Sequence, residues 1–128
     1  MADDTHLLLL KQGPEAWARW RREHAERRPD LSHASLRGLD LAKFDLASAD
    51  LRGADLRGTI LTDASLAGAD LTGANLFKAV LDRTELSRAR LTGVQFLNCA
   101  QLLAARNWQA AFRDPDLACG SSCPPEPG

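Results

Sequence analysis

With 128 residues, 45% of them apolar and 26% charged, the chain has the size and composition of a single globular domain. A formal net charge of −1, from 16 Lys and Arg against 17 Asp and Glu, excludes any general pull toward nucleic acid or an anionic membrane. No stretch approaches the roughly 18 apolar residues of a membrane span. The opening has neither the basic start nor the apolar run of about 7–15 residues of a secretory signal, so the expected address is cytoplasmic.

In chain order, Thr5 to Gln12 reads as a short helix stopped by Gly13. Pro14 then suits the first turn of a second helix, running to about Arg28. Trp17, Trp20 and the stem of His24 are spaced three and four apart and mark one face of it. Arg19, Arg21, Arg22, Glu23, Glu26 and Arg27 fill the remainder, and Pro29 ends it.

From Leu31 every fifth residue is Leu, through Leu36, Leu41, Leu46, Leu51, Leu56, Leu61, Leu66, Leu71, Leu76, Leu81, Leu86 and Leu91, with Phe96 next. Two residues before each Leu stands a small side chain, such as Ala49, Ala54, Thr59 or Ala64, with Leu39 and Phe44 as larger exceptions. Just before each Leu comes mostly Asp, Asn or Ser, as in Asp40, Asp45, Asp55, Ser65 and Asn75. Gly follows two residues after at Gly38, Gly53, Gly58, Gly68, Gly73 and Gly93. A helix turns about 500° in five residues and would spray these leucines around its axis. A plain strand would alternate their faces. The period works if each unit is one short side plus one corner, with the Leu and the small residue inward and the residue between them outward. Four sides close a square of about twenty residues, and coils stack about 4.8 Å apart. The expected fold is an all-β solenoid, a right-handed quadrilateral β-helix of about three and a half coils and roughly 15–17 Å in height, with helical caps at both ends.

The segments A-D-L-R-G at 54–58, A-D-L-T-G at 69–73 and A-N-L-F-K at 74–78 resemble the signature of pentapeptide-repeat proteins. That resemblance implies the same square β-helix and little about activity. Residues 7–13 with Trp17 and Trp20-Arg21 resemble the lead-in often found before such repeats. The chain then divides into an N-terminal helical cap (1–29), the β-helix (30–98), a C-terminal helical cap (99–113) and a disordered tail (114–128). The N-terminal cap is expected on the first coil, where Leu39 and Phe44 can reach it. The C-terminal cap reads as a helix from Gln101 to Phe112 carrying Leu102, Leu103, Ala105, Trp108, Ala111 and Phe112. The tail is rich in Pro, Gly and Ser. Of the three cysteines, Cys119 and Cys123 could pair across their Gly-Ser-Ser turn, but the expectation for a cytosolic chain is reduced thiols.

No His–Cys–carboxylate cluster has metal-ligand spacing, no nucleophile–base pair can be assembled, and no phosphate loop is present. No catalytic, cofactor-binding or metal residue is therefore assigned. Stacking residues twenty apart puts Asp30, Asp50 and Asp70 in one column, followed by Arg90. Like charges at strand spacing repel, which makes the column a candidate interaction surface. The preferred alternative is that these carboxylates bond nearby backbone at the corners or meet Arg52 and Arg57. The second candidate surface is apolar. Ile60 and Val80 occupy an outward position that is otherwise polar, and Phe77 and Leu97 stack on the neighbouring side. Trp108 and Phe112, one helical turn apart, are the expected intramolecular cover, with a partner protein as the alternative.

These readings favour a non-catalytic interaction module or scaffold that binds an unidentified protein partner through a flat side. It would have no cofactor, no nucleic acid and no membrane, and would be a monomer, with a homodimer possible. The alternative comes from the family resemblance: some members modulate or protect DNA gyrase by mimicking DNA. Residues 30–98 hold nine acidic and eight basic side chains, and the column spans about half of a roughly 34 Å DNA turn. Both facts weigh against mimicry.

Overall fold

A computed structural model describes residues 3–125. Residues 1–2 of the N-terminal cap and 126–128 of the expected disordered tail lie outside the described residues. The leucine ladder is the core: from Leu31 to Leu91 every fifth residue is no more than 2% exposed. The small inward residues, Ala49, Ala54, Ala64, Ala69, Ala74 and Ala89 among them, are buried beside it. Thr59 and Thr84 are buried there as well, and each hydroxyl donates to a backbone carbonyl, Leu36 and Leu61 respectively.

The backbone shows why the period is five. Parallel bridges join residue i to residue i + 20, from Asp30–Asp50 through Asn75–Gln95. From Leu31 to Leu76 each ladder Leu N–H donates to the next coil, as Leu51 does to the Asp70 carbonyl at 2.8 Å. Each corner closes with a bond from the third residue after a Leu back to that Leu, as in Ala54 to Leu51 at 3.1 Å. The residue before the closure is left-handed, as a type II turn requires. Glycine fills that place at six corners, but His33, Lys43, Ser48, Asp63, Lys78, Arg83 and Arg88 take the same conformation elsewhere. Gly53 has a further reason: a Cβ there would fall 2.4 Å from Nδ1 of His33, the corner residue one coil earlier.

Two helices precede the column, α1 (Asp4–Lys11) and α2 (Pro14–Glu23). Trp17 is fully buried, packs 6.3 Å from Phe44 between ring centroids, and donates its indole N–H to the Asp45 carbonyl. His6 is buried on α1, and its Nδ1 accepts the Asp30 N–H at 2.9 Å, which has no earlier coil to bond to. Helix α2 ends five residues before the expected Arg28. From there the chain must extend, because the Pro29 carbonyl accepts from Asp50 N–H and forms the first rung.

The C-terminal segment departs from expectation. Residues 101–112 do not form one helix. Only α3 (Cys99–Leu103) is helical, started by a capping box in which Asn98 and Gln101 bond each other's backbone. The chain then rejoins the column. Arg106 bridges Glu85 and Phe112 bridges Arg90, spacings of 21 and 22 that absorb small insertions. Trp108, in a short 3-10 turn (Trp108–Ala110), and Phe112 are buried over the end of the column, so neither lies on a helix covering the apolar strip.

Arg113 ties the first part of the tail to the column. Arg113 is 4% exposed and spends all five of its N–H donors on carbonyls of Gln109, Ala111, Leu117, Ala118 and Ser122. Its guanidinium also lies 5.0 Å from the centre of the Trp108 ring. This turns the tail back over the column, where Asp114 supplies an acceptor for Gly93 N–H in place of a further coil. It also brings Cys119 to Cys99, and the two form a disulfide. The expectation of reduced thiols is corrected on this point. So is the candidate Cys119–Cys123 pair, since Cys123 is the free cysteine.

Two outcomes test this packing. Leu66→Ala, at a fully buried mid-column site, should cost about 2–5 kcal/mol of unfolding free energy in urea titration. An unchanged midpoint would mean the site is not interior. Arg113→Lys should lower stability by about 2–4 kcal/mol although charge is kept, because three donors cannot replace five in a planar fork. Equal stability of the lysine variant would show that charge alone, without the fork, holds the tail.

Candidate interaction surface

Where the outward residue is Asp or Asn, it works for the corner. Oδ1 of Asp30, Asp40, Asp45, Asp50, Asp55 and Asp70 accepts the backbone N–H two residues on, as does the amide oxygen of Asn75. That N–H has no rung to donate to, so a short acceptor side chain two residues earlier satisfies it. The Asp30–Asp50–Asp70 column is therefore engaged in its own corners. Asp30 also accepts from the Ser32 hydroxyl and Asp70 from the Thr72 hydroxyl. Asp50 holds the Arg52 guanidinium at 2.8 and 2.7 Å. Arg57 grips Asp55 in the same bidentate way and, by those hydrogen bonds, holds its carboxyl down at about 2. Hydrogen bonding to Arg52 lowers the Asp50 carboxyl too, and Asp63 is lowered by its pair with Arg83.

Ile60 and Val80 interrupt this pattern. They bridge each other in one column, and neither has an acceptor for the N–H of Thr62 or Asp82, which make no hydrogen bond within the described residues. Ile60 is 36% and Phe77 46% exposed. Phe96 and Leu97 exchange their expected roles. The repeat would turn Phe96 inward and Leu97 outward. Instead Phe96 is left-handed at φ 60° and 66% exposed, and Leu97 is partly buried against the core. The unit is shortened here because Asn98 must cap α3, and the slip of one residue swaps the two faces. Phe96 meets Phe77 edge-on, with ring centroids 5.7 Å apart. The sequence reading missed Phe96 as a surface residue, and the capping signal Asn98-x-x-Gln101 is what could have revealed it.

Beside this aromatic pair is a recess of about 300 Å³ lined by Arg37, Arg57, Gly58, Phe77 and Lys78. Lys78 Nζ lies 5.4 Å from the Phe77 ring centre. A side chain added at Gly58 would meet nothing within 4 Å, so the recess floor is bare backbone.

The family model for pentapeptide repeats matches residues 30–63 and 61–93, in eight copies. The chain belongs to the pentapeptide-repeat family. A pentapeptide-repeat protein of the Arabidopsis thaliana thylakoid lumen is 32% identical with a TM-score of 0.53, over 73% of this chain and 57% of its own length. This pentapeptide-repeat chain thus spans little more than half of that relative. A pentapeptide-repeat protein from Nostoc is 30% identical over 84% of this chain and 94% of its own, with a TM-score of 0.41. QnrB1, a plasmid-mediated fluoroquinolone resistance protein, is 19% identical over 67% of this chain and 37% of its own, with a TM-score of 0.44. At that likeness QnrB1 bears on neither partner nor activity here. No curated protein matches the chain.

Among the described residues no group of three or more His, Cys, Asp or Glu side chains could hold a metal ion, and no helix is long and apolar enough to cross a membrane.

The Asp–Arg pairs predict a pH response. Their carboxyls are lowered on folding, so their contribution is complete above the ordinary value of 3.8 and is lost as pH falls toward about 2. Melting temperature should therefore drop below about pH 4, and Asp55→Asn should flatten part of that drop. Asn can still accept the corner N–H, as Asn75 does, so the variant should fold. An identical pH profile in the variant would mean the Asp55–Arg57 pair adds nothing to stability.

Proposed function

We propose that this pentapeptide-repeat chain is a non-catalytic interaction module that docks a protein partner on the side bearing Phe77, Phe96, Ile60 and Val80. The supporting observation is that apolar side chains stand bare where the repeat otherwise places hydrogen-bonding groups, while the C-terminal segment turns away from them. A polar residue would be better solvated there and would also serve the corner N–H, so the apolar choice has no folding rationale on this side. We read the scaffold as about three and a half coils of right-handed square β-helix, closed by α1 and α2 below and by the Arg113-organised segment above. A capped, rigid column of this kind presents side chains at fixed spacing, which suits recognition.

The address is part of the proposal. The Cys99–Cys119 bond favours an oxidising compartment over the cytoplasmic one that the sequence suggests. The thylakoid-lumen relative is compatible with that reading. The gyrase alternative has no observation in its favour, since the repeat block is nearly neutral.

Affinity capture from the source organism tests the proposal, with Phe77→Ser/Ile60→Ser as the paired bait. The double variant should melt near the wild-type temperature, since both side chains point outward, and should lose the captured partner. A partner retained equally by both baits would place the interface elsewhere on the column.

A further inference from the structure

The recess beside Phe77 has a chemical character of its own. Arg37, Arg57 and Lys78 contribute three cations to its lining, and no carboxylate is among the lining residues. Arg57 is bound to Asp55, whose carboxyl Arg37 also helps to lower through its charge, but the Arg37 side chain makes no hydrogen bond or ion pair among the described residues. Arg37 lies one coil from Arg57 in the same column, where like charges at strand spacing repel. Lys78 Nζ lies over the Phe77 ring and makes no hydrogen bond or ion pair among the described residues. Next to these cations stand the half-exposed Phe77–Phe96 pair and Ile60. The Thr62 N–H, two residues beyond Ile60, also has no acceptor.

We infer that this recess takes an acidic protein segment carrying a bulky apolar side chain. This deepens the interaction reading above and rests on it. The apolar side chain would lie over bare Gly58 against Phe77 and Phe96, removing exposed aromatic surface from water. A flanking carboxylate would sit between Arg37 and Lys78, relieving the repulsion along the Arg37–Arg57 column.

A second copy of this chain is a poor occupant. Most carboxylates on its sides, Asp30, Asp40, Asp45, Asp50, Asp55 and Asp70, are committed to their own corner N–H groups, and Asp82 is the one in the repeat block whose side chain makes no hydrogen bond or ion pair among the described residues. Asp63 is held by Arg83, and Glu85 by the Asn107 amide. Breaking those bonds would cost the donor copy what the acceptor copy gains. Nucleic acid would bring negative charge, but a chain of net charge −1 exerts no general attraction on it.

The test uses the full chain, with its disulfide intact, as bait for a displayed library of random peptides. Enriched peptides should combine Asp or Glu with Phe, Trp or Leu. Their affinity should fall roughly tenfold or more for Arg37→Glu/Lys78→Glu, and comparably for Phe77→Ser. It should also weaken as salt is raised from about 0.05 to about 0.5 M. All three residues point outward, so circular dichroism and melting should match the parent. Gly58→Asn, tolerable at a left-handed corner that Lys and Arg occupy elsewhere, should block binding by filling the floor. Peptides that need Phe77 but show no acidic preference and ignore Arg37→Glu/Lys78→Glu overturn this inference while leaving the interaction reading intact. Peptides indifferent to every one of these variants overturn both. Failure to enrich any peptide overturns the inference. So does self-association of the full chain that Phe77→Ser dissolves, because the occupant would then be a second copy.

Discussion

Each leucine of the ladder is buried in a layer whose backbone is bonded to the layer twenty residues on. Everything else in the molecule depends on that coupling. Burying a leucine is worth roughly 1.5–3 kcal/mol, but only if the coil around it closes, and the coil closes only if four corners each turn in two residues. A corner turned so sharply leaves one N–H pointing outward with no rung to join. Where Asp or Asn precedes the Leu, its side chain satisfies that N–H, so the core and the outer decoration are two parts of one hydrogen-bonding solution.

That coupling gives meaning to the exceptions. Asp30, Asp50 and Asp70 look like a charged site when read as a column, yet each is occupied locally and Arg52 neutralises the middle one. Ile60 and Val80 look unremarkable as single residues, yet they give up the corner hydrogen bond and gain no burial comparable to the ladder's. Among the corners that forgo the local bond, the two with an apolar outward residue stand near Phe77, Phe96 and the cationic recess. Departures from the repeat thus converge on one region of an otherwise regular surface.

A stacked column must also end without exposing its rungs. At the start His6 and Trp17 reach across from the helices to take backbone partners on the first coil. At the finish the chain uses a different device. It loosens the repeat, lets α3 replace one side, rejoins the ladder at Arg106 and Phe112, and folds the tail under Arg113. A cation wrapped by five carbonyls does for irregular chain what rungs do for the coils, and the Cys99–Cys119 bond locks the result.

The sequence by itself determined the repeat architecture, the inward and outward positions from Leu31 to Leu91, and the two helices ahead of the column. Each of these follows from local rules: a period, a turn and a cap that involve residues at most five apart. Tertiary structure alone decided the segment from Phe96 onward. Whether Phe96 or Leu97 points inward depends on where α3 must start, and that is set by the end of the column it has to cover. The Cys99–Cys119 pairing, the order of the tail and the burial of Arg113 depend on groups brought together only after the coils have stacked. The Trp108 and Phe112 side chains could have covered the apolar strip or the column's end. The end won because it also offers backbone rungs to Arg106 and Phe112, and a strip of side chains offers none.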